Sequence, residues 1–267
     1  MNALANPAAD EALVLRHDAD GVARLTRNRP AARNALSIAL MEEFQAALDA
    51  VADDDAVKLV VIAGAGPGFC AGHDLKELRA NPRRDFYQRT FATSSRLMLT
   101  IMRLPKPVIA RVHGIATAAG CQLVATCDLA VAAADARFAT PGVNIGLFCS
   151  TPMVALARNV GRKQAMEMLL TGEMIGAEEA QRIGLINRVA PLGGLDEAVA
   201  ALATTIAAKS PLVLKIGKEA FYRQLEMGVE DAYGYTAEVM TRNMMARDAE
   251  EGLDAFIEKR APVWRGE

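Results

Sequence analysis

The chain has 267 residues and a formal charge of −2, with 30 Lys and Arg interspersed among 32 Asp and Glu. That excludes the basic stripe of a nucleic-acid binder and the polybasic tract of a membrane-surface protein, and leaves a small molecule as the expected partner. Apolar stretches such as the one around 57–63 fall far short of the about 20 residues that span a bilayer, and residues 1–11 hold two acids and no base, unlike a secretory signal or an Arg-rich transit peptide, so a cytoplasmic protein is expected.

In chain order, 13–16 and 22–26 are β-like runs joined by Asp18, Ala19, Asp20 and Gly21, a tight-turn composition that predicts a hairpin. Ser37 is placed to N-cap a helix in which Leu40, Met41, Phe44, Leu48 and Val51 recur at helical steps, with Glu42 and Glu43 near its positive end. The β-branched run 57–63 predicts a strand buried on both faces, followed by a Gly-rich loop. Strands are also expected at 107–112 and 129–133, with a close-packed helix between them in the Ala- and Gly-rich segment 114–128. Helical periodicity then recurs at 153–160, 163–170, 177–183, 195–208 and 212–226. This order predicts an α/β core, 1–200, with a helical region, 201–267, appended to it. Cys70, Cys121, Cys127 and Cys149 form no CxxC pair and no zinc pattern, so they read as buried small residues, and no metal is expected.

The Gly-rich loop does not have nucleotide-binding spacing. Gly64, Gly66 and Gly68 are two apart with Pro67 between, Phe69 stands where a dinucleotide turn wants its third glycine, and no Gly-Lys-Ser/Thr follows.

Five motifs in order resemble the crotonase (enoyl-CoA hydratase/isomerase) superfamily. Asn28-Arg29-Pro30 with Asn34-Ala35-Leu36 is similar to its NRPxxxNAL, and Phe69-Cys70-Ala71-Gly72-His73-Asp74-Leu75-Lys76 to its FxxGxDLK. The segment 114–123 followed by Cys127-Asp128-Leu129 is similar to GGGxEL...CDL, 138–146 to FxxPExxxG, and Phe256-Ile257-Glu258-Lys259-Arg260 to FxEKR. The resemblance implies a crotonase-like ββα spiral core and a C-terminal helical region packing on neighbouring subunits of a trimer or dimer of trimers. It implies an acyl-CoA thioester as the partner, with no cofactor beyond the coenzyme A of that substrate.

Thioester chemistry of this kind loads negative charge on the carbonyl oxygen, and two backbone N–H groups in a dry site can receive it. By the resemblance these are the amides of His73 and Ala119, the second at the start of a helix, where free N–H groups and the helix dipole favour an anion. The His73 side chain reads as pocket wall or as base. The resemblance further assigns Ala71 and Lys76 to the CoA contacts, and Phe256 with Lys259 to a pair that closes over the nucleotide from a neighbour. Phe86, Tyr87 and Phe91 fall where the family varies its acyl pocket.

The chain departs from the family where a hydratase places two glutamates on one water. Gln122 occupies the first position, and its amide binds water but exchanges no proton. Gly142 occupies the second, with no side chain and with backbone angles a glutamate is expected not to adopt. Conventional hydratase activity is therefore not expected. Ser150, flanked by Cys149, falls where other members place a reactive group, and reads either as a helix N-cap before Pro152 or as a catalytic hydroxyl. The rival reading is a non-catalytic acyl-CoA-binding or scaffold protein.

Overall fold

The structure, a computed structural model, describes residues 12–267, so the segment 1–11 used above to argue location lies outside the described residues. Asp20 and Gly21 take left-handed backbone angles (φ 51 and 77) and close β1 (Val14–Ala19) antiparallel onto β2 (Val22–Arg27), as the turn composition predicts. Ser37 caps α1 (Ile38–Ala52) by accepting from the Leu40 amide at 3.2 Å. Glu42 and Glu43 do not lie in its first turn. They tie the helix to its neighbours instead, Glu43 accepting from the Val14 amide at 2.8 Å and Glu42 pairing with Arg89 at 2.9 Å.

From β2 onward one pattern repeats. A long strand enters the large sheet, a short extended segment follows beside it, and a helix returns the chain. β3 (Leu59–Gly64) is followed by the extended 70–73 segment, α2 (Leu75–Ala80) and α3 (Arg84–Arg103). β4 (Val108–Val112) is followed by β5 (Ile115–Thr117) and α4 (Ala119–Thr126). β6 (Leu129–Ala133) is followed by β7 (Arg137–Ala139), α5 (Pro152–Asn159) and α6 (Arg162–Thr171). After β8 (Ile175–Gly176) and α7 (Ala177–Arg182), β9 (Arg188–Ala190) joins the large sheet, whose order is β1-β2-β3-β4-β6-β9 and whose strands are parallel from β2 on. The small sheet is β5-β7-β8, and the Cys70–Ala116 bridge carries it into the Gly-rich loop. This is the α/β spiral expected.

β3 is buried at every residue because its two faces serve two cores. Val60 and Ile62 join Leu40, Phe44 and Leu97, while Leu59 and Val61 meet Leu195, Val199 and Leu202 of α8 (Leu195–Ala207). Alternate residues of a strand point to opposite faces, so a strand covered on both sides reads as a continuous apolar run. The division expected between 200 and 201 falls inside α8, whose inner face is part of the sheet's second core. Only α9 (Pro211–Gln224), α10 (Val229–Met244) and α11 (Arg247–Glu258) extend beyond it. All four cysteines are buried and free.

α9 is fastened to the core by charge. The Asp128 carboxylate accepts from the Val108 amide and from Lys218 Nζ, each at 2.7 Å, and from the Tyr222 hydroxyl at 2.8 Å. Lys218 also donates to the carbonyls of Ile101 and Lys106 at 2.9 and 3.0 Å. The lysine side chain is only 7% exposed, and burial pushes its pKa down against the pull of Asp128. Removing one member of such a pair strands the other, at a cost of about 3–5 kcal/mol. Asp128→Asn is therefore expected to lower the denaturant midpoint more than Asp128→Asn combined with Lys218→Met. Additive losses in the double variant would refute the coupling.

Candidate functional site

The Gly-rich loop is held from beneath by the Asn28–Leu36 turn. Asn34, in the left-handed region (φ 54), accepts from the Arg29 amide at 2.9 Å and donates through Nδ2 to the carbonyls of Ala65 and Gly68, both at 2.8 Å. Arg29 donates to Ala35 O at 2.6 Å and pairs with Asp74 at 2.9 Å, and Asp74 caps α2 by accepting from the amides of Lys76 and Glu77. Below Phe69 lies Arg27, fully buried, its guanidinium 4.2 Å from the Phe69 ring centroid and donating to Phe69 O at 3.0 Å, with Nε and Nη1 unpartnered. Nothing in the sequence reading flagged Arg27, since an arginine in an amphipathic strand is ordinarily solvated.

Two backbone segments meet above this base. Leu36 donates to Gly72 O at 2.8 Å and accepts from Asp74 N at 3.1 Å, a parallel bridge that uses the residues on either side of His73 and turns the His73 amide the other way. A Cβ on Gly72 (φ 98) would stand 2.9 Å from Ala118 Cβ, and one on Gly120 would stand 2.1 Å from Cys70 O, so the loop and the start of α4 touch where neither has a side chain. Ala118 takes φ 51 and ψ −118, strained for an alanine, and its amide donates to Ala139 O at 2.9 Å. Ala119 is then the first residue of α4. Among the described residues neither the His73 nor the Ala119 amide donates to a backbone carbonyl.

Gln122 lies one turn into α4, 5% exposed, with Oε1 buried and unpartnered. Gly142 sits in a 3-10 turn, Pro141–Ile145, outside the left-handed region; what bars a side chain there is space, since a Cβ would lie 2.7 Å from Leu147 O and 2.9 Å from Cys149 Sγ. The backbone-angle expectation is corrected accordingly. The N-cap reading of Ser150 is corrected too. Thr151 holds that position, without a side-chain bond, and the exposed Ser150 hydroxyl reaches only Phe148 O at 3.4 Å. Among the described residues the Ser150 hydroxyl has no side-chain partner; His113 bonds Gly66 O at 2.8 Å, His17 is exposed on β1, and burial raises the pKa of the Cys149 thiol.

Lys76 is exposed on the first turn of α2. Ala71 has its amide on Arg33 O at 3.0 Å and its carbonyl accepting from Thr117 Oγ1 at 3.1 Å, so both backbone groups already have partners. Phe256 is 84% exposed on α11, which packs against α10, and Lys259 ends that helix in the left-handed region. The structure therefore does not close this pair over a site within one chain. Of the acyl-wall residues, Phe86 packs against the core and Phe91 meets the His73 ring edge-on, with centroids 5.4 Å apart.

Burial alone pushes the His73 pKa down from 6.5 to about 4, so the ring is neutral at physiological pH and unsuited to donate a proton. As pH drops from 6.5 to about 4 the unfolded chain takes up this proton and the folded one does not, so stability is lost across that window. An NMR titration is expected to show the imidazole neutral down to about pH 4, and His73→Phe is expected to lose less stability than the wild type over the same range. An imidazole titrating near 6.5 would refute it.

The family model described as Enoyl-CoA hydratase/isomerase matches residues 17–267. Human enoyl-CoA hydratase domain-containing protein 3, mitochondrial, is 48% identical over 248 residues, 93% of this chain and 82% of that protein. The 2,3-dehydroadipyl-CoA hydratase of Escherichia coli (strain K12) is 36% identical over 243 residues, 91% of this chain and 94% of that one. The crystal structure of a Mycobacterium smegmatis enoyl-CoA hydratase superposes with a TM-score of 0.93 at 55% identity, covering 95% of this chain and 99% of that one. The cytoplasmic expectation is overturned by the human relative and its rat counterpart, both named mitochondrial. Matched by the family from residue 17 to its end and aligned with such relatives over most of both lengths, the chain belongs to the enoyl-CoA hydratase/isomerase family.

Proposed function

We propose that the chain binds an acyl-CoA thioester and polarises its carbonyl between the amides of His73 and Ala119. The observation that carries this reading is the pair of amides with no backbone partner, one on each of two loops pressed together at Gly72 and Gly120. A preset backbone donor of this kind is worth about 3 kcal/mol to a developing oxyanion. Lys76 and Ala71 lie on the CoA side, and Phe256 and Lys259 reach the nucleotide of a neighbouring subunit.

Proton transfer is the missing part. Gln122 hydrogen-bonds a water but exchanges no proton with it, and the space around Gly142 holds no carboxylate. The same two observations favour a second reading, an acyl-CoA binder without turnover, and a panel of thioesters separates the two. Crotonyl-CoA is expected to bind by calorimetry yet to be hydrated about 10²–10⁴-fold more slowly for each missing group than by a two-glutamate enzyme, followed by loss of enoyl absorbance. Gly142→Glu is expected to destabilise the protein instead of restoring activity, because Leu147 O and Cys149 Sγ occupy its path. Rapid hydration that Gln122→Ala leaves untouched would overturn the reading.

Assembly is supported by two exposed apolar sets, Phe221, Tyr233 and Met240 on α9 and α10, and Leu147, Val154 and Leu170 on and before α5 and α6. Two different patches on one chain suit a closed ring, in which each subunit offers one to the next. Sedimentation is expected to give a trimer or a dimer of trimers. A monomer at all concentrations would remove the neighbour that Phe256 and Lys259 require.

A further inference from the structure

Of the three histidines, His17 is exposed and His73 leaves its buried Nε2 without a partner, whereas His113, which follows β4, uses both ring nitrogens. Its Nε2 lies 2.8 Å from Gly66 O in the Gly-rich loop, and its Nδ1 lies 3.4 Å from Arg111 Nη1. A carbonyl only accepts and a guanidinium only donates, so these partners fix one state of the ring: neutral, with its proton on Nε2. Arg111 is itself held. Its Nε and Nη2 donate to the two oxygens of Asp196, in the first turn of α8, at 2.8 and 2.7 Å, and Asp196 also accepts from Arg24 at 3.1 Å. The backbone of His113 meets the same loop, its carbonyl accepting from the Phe69 amide at 3.0 Å. Beside it, a Cβ on Gly114 (φ 58) would stand 2.3 Å from Pro67 O, so the loop lies directly on the residues that follow β4. Gly66 and Pro67 are nonetheless exposed, and among the described residues Gly66 O accepts only from the imidazole.

We propose that His113 is a pH-sensitive positioning residue for the Gly-rich loop: its neutral ring, oriented by Arg111, latches Gly66 to the end of β4, and acid drives the ring off this place. The bond to Gly66 O alone would survive on a charged ring. What protonation opposes is the ring's position beside Arg111, since a proton on Nδ1 faces the guanidinium donor across 3.4 Å and replaces a hydrogen bond by two like charges. Of the other charged groups around the ring, the buried Arg27 of β2 also opposes that proton and Asp135, between β6 and β7, favours it, while Asp196 is already engaged by Arg111 and Arg24. Burial foremost, then the two arginines, hold the His113 pKa below 6.5 against the pull of Gly66 O and Asp135. A ring swung into water regains the ordinary value of 6.5, so the latch is complete above 6.5 and weakens as pH falls through the lowered folded value. The chain beyond this loop carries the His73 amide, so acid loosens one wall of the proposed oxyanion site. The latch itself needs no thioester, and its test is independent of the acyl-CoA reading.

Imidazole nitrogen NMR and amide hydrogen exchange on the full chain, between about pH 7.5 and 4.5, test this. His113 is expected to start as a neutral ring protonated on Nε2 and to titrate below 6.5. As it does, the protection of the Phe69 amide, corrected for intrinsic exchange, is expected to fall about 5–10-fold, the worth of one net hydrogen bond. His113→Gln offers a donor and an acceptor with no titrating proton, and is expected to keep the Phe69 protection and to abolish its pH dependence. In His113→Leu the protection is expected to be lowered at every pH of the range. A neutral ring protonated on Nδ1, a ring that titrates at or above 6.5 or stays neutral throughout, or Phe69 protection that ignores the titration would overturn the proposal. So would a pH dependence that survives in His113→Gln, or undiminished protection in His113→Leu.

Discussion

Backbone meets backbone at the centre of this molecule, and what surrounds it follows from that contact. The loop after β3 and the start of α4 approach so closely that a side chain at residue 120 would fall inside van der Waals distance of Cys70 O, and one at residue 72 would strike Ala118. Glycine at these two positions is a condition for the approach. Ala118 bears the remaining strain: it takes, just before the first residue of α4, a positive φ that glycine would adopt freely. Residues held in such conformations cost about 1–3 kcal/mol and persist where the surroundings over-determine them. Here the over-determination is visible in the Ala118–Ala139 bond on one side and Gly72 on the other.

A loop in this position cannot be left to its own flexibility, and the sequence motifs around it act as its frame. Asn34 ties three backbone groups at once, and Arg29 links the same turn to Asp74, the cap of α2. Arg27 adds a buried cation stacked on Phe69 with a single hydrogen bond to spend. Burial lowers its pKa, yet a guanidinium holds its proton far above physiological pH, so the charge stays. What stabilises it is the quadrupole of the Phe69 ring and, at 5.6 Å, that of Phe44, a partial substitute for the carboxylate that is not there.

Much of this was legible from residue order, and the reasons differ by element. The hairpin, the Ser37 cap and the doubly buried β3 are local patterns that tertiary structure has no cause to overrule. The helices α3, α10 and α11 went unread for different reasons: α3 buries Thr90, Thr93 and Ser94 on the same face as Leu97, Met98 and Ile101, so half of that face reads as polar, whereas α10 buries only Val239 and α11 only Asp248 and Ala255, with Tyr233, Met240 and Phe256 exposed. The N-cap reading of Ser150 was off by one position, since Ser150 and Thr151 both precede Pro152 and either could open the helix by composition alone. The obstruction at Gly142 was unreadable, because Leu147 and Cys149 return to it only through the fold of the following turn. The unpaired Nε2 of His73 was equally hidden, since pairing is a property of surroundings.

The division between what the site retains and what it lacks has a physical basis. On the reading proposed above, carbonyl polarisation would rest on main-chain amides, which every residue but proline possesses, so side chains at 73 and 119 could change while the donors stay. Proton transfer rests on particular side chains, and one substitution removes it. Where the resemblance would place two carboxylates, this chain carries an amide of nearly the same shape and a glycine packed shut by the 142–149 turn. The two positions therefore differ in kind: Gln122 carries a buried oxygen with no partner, whereas position 142 has no room for a side chain. On the reading proposed above, a site altered in this way would hold a thioester through its main-chain amides without moving a proton.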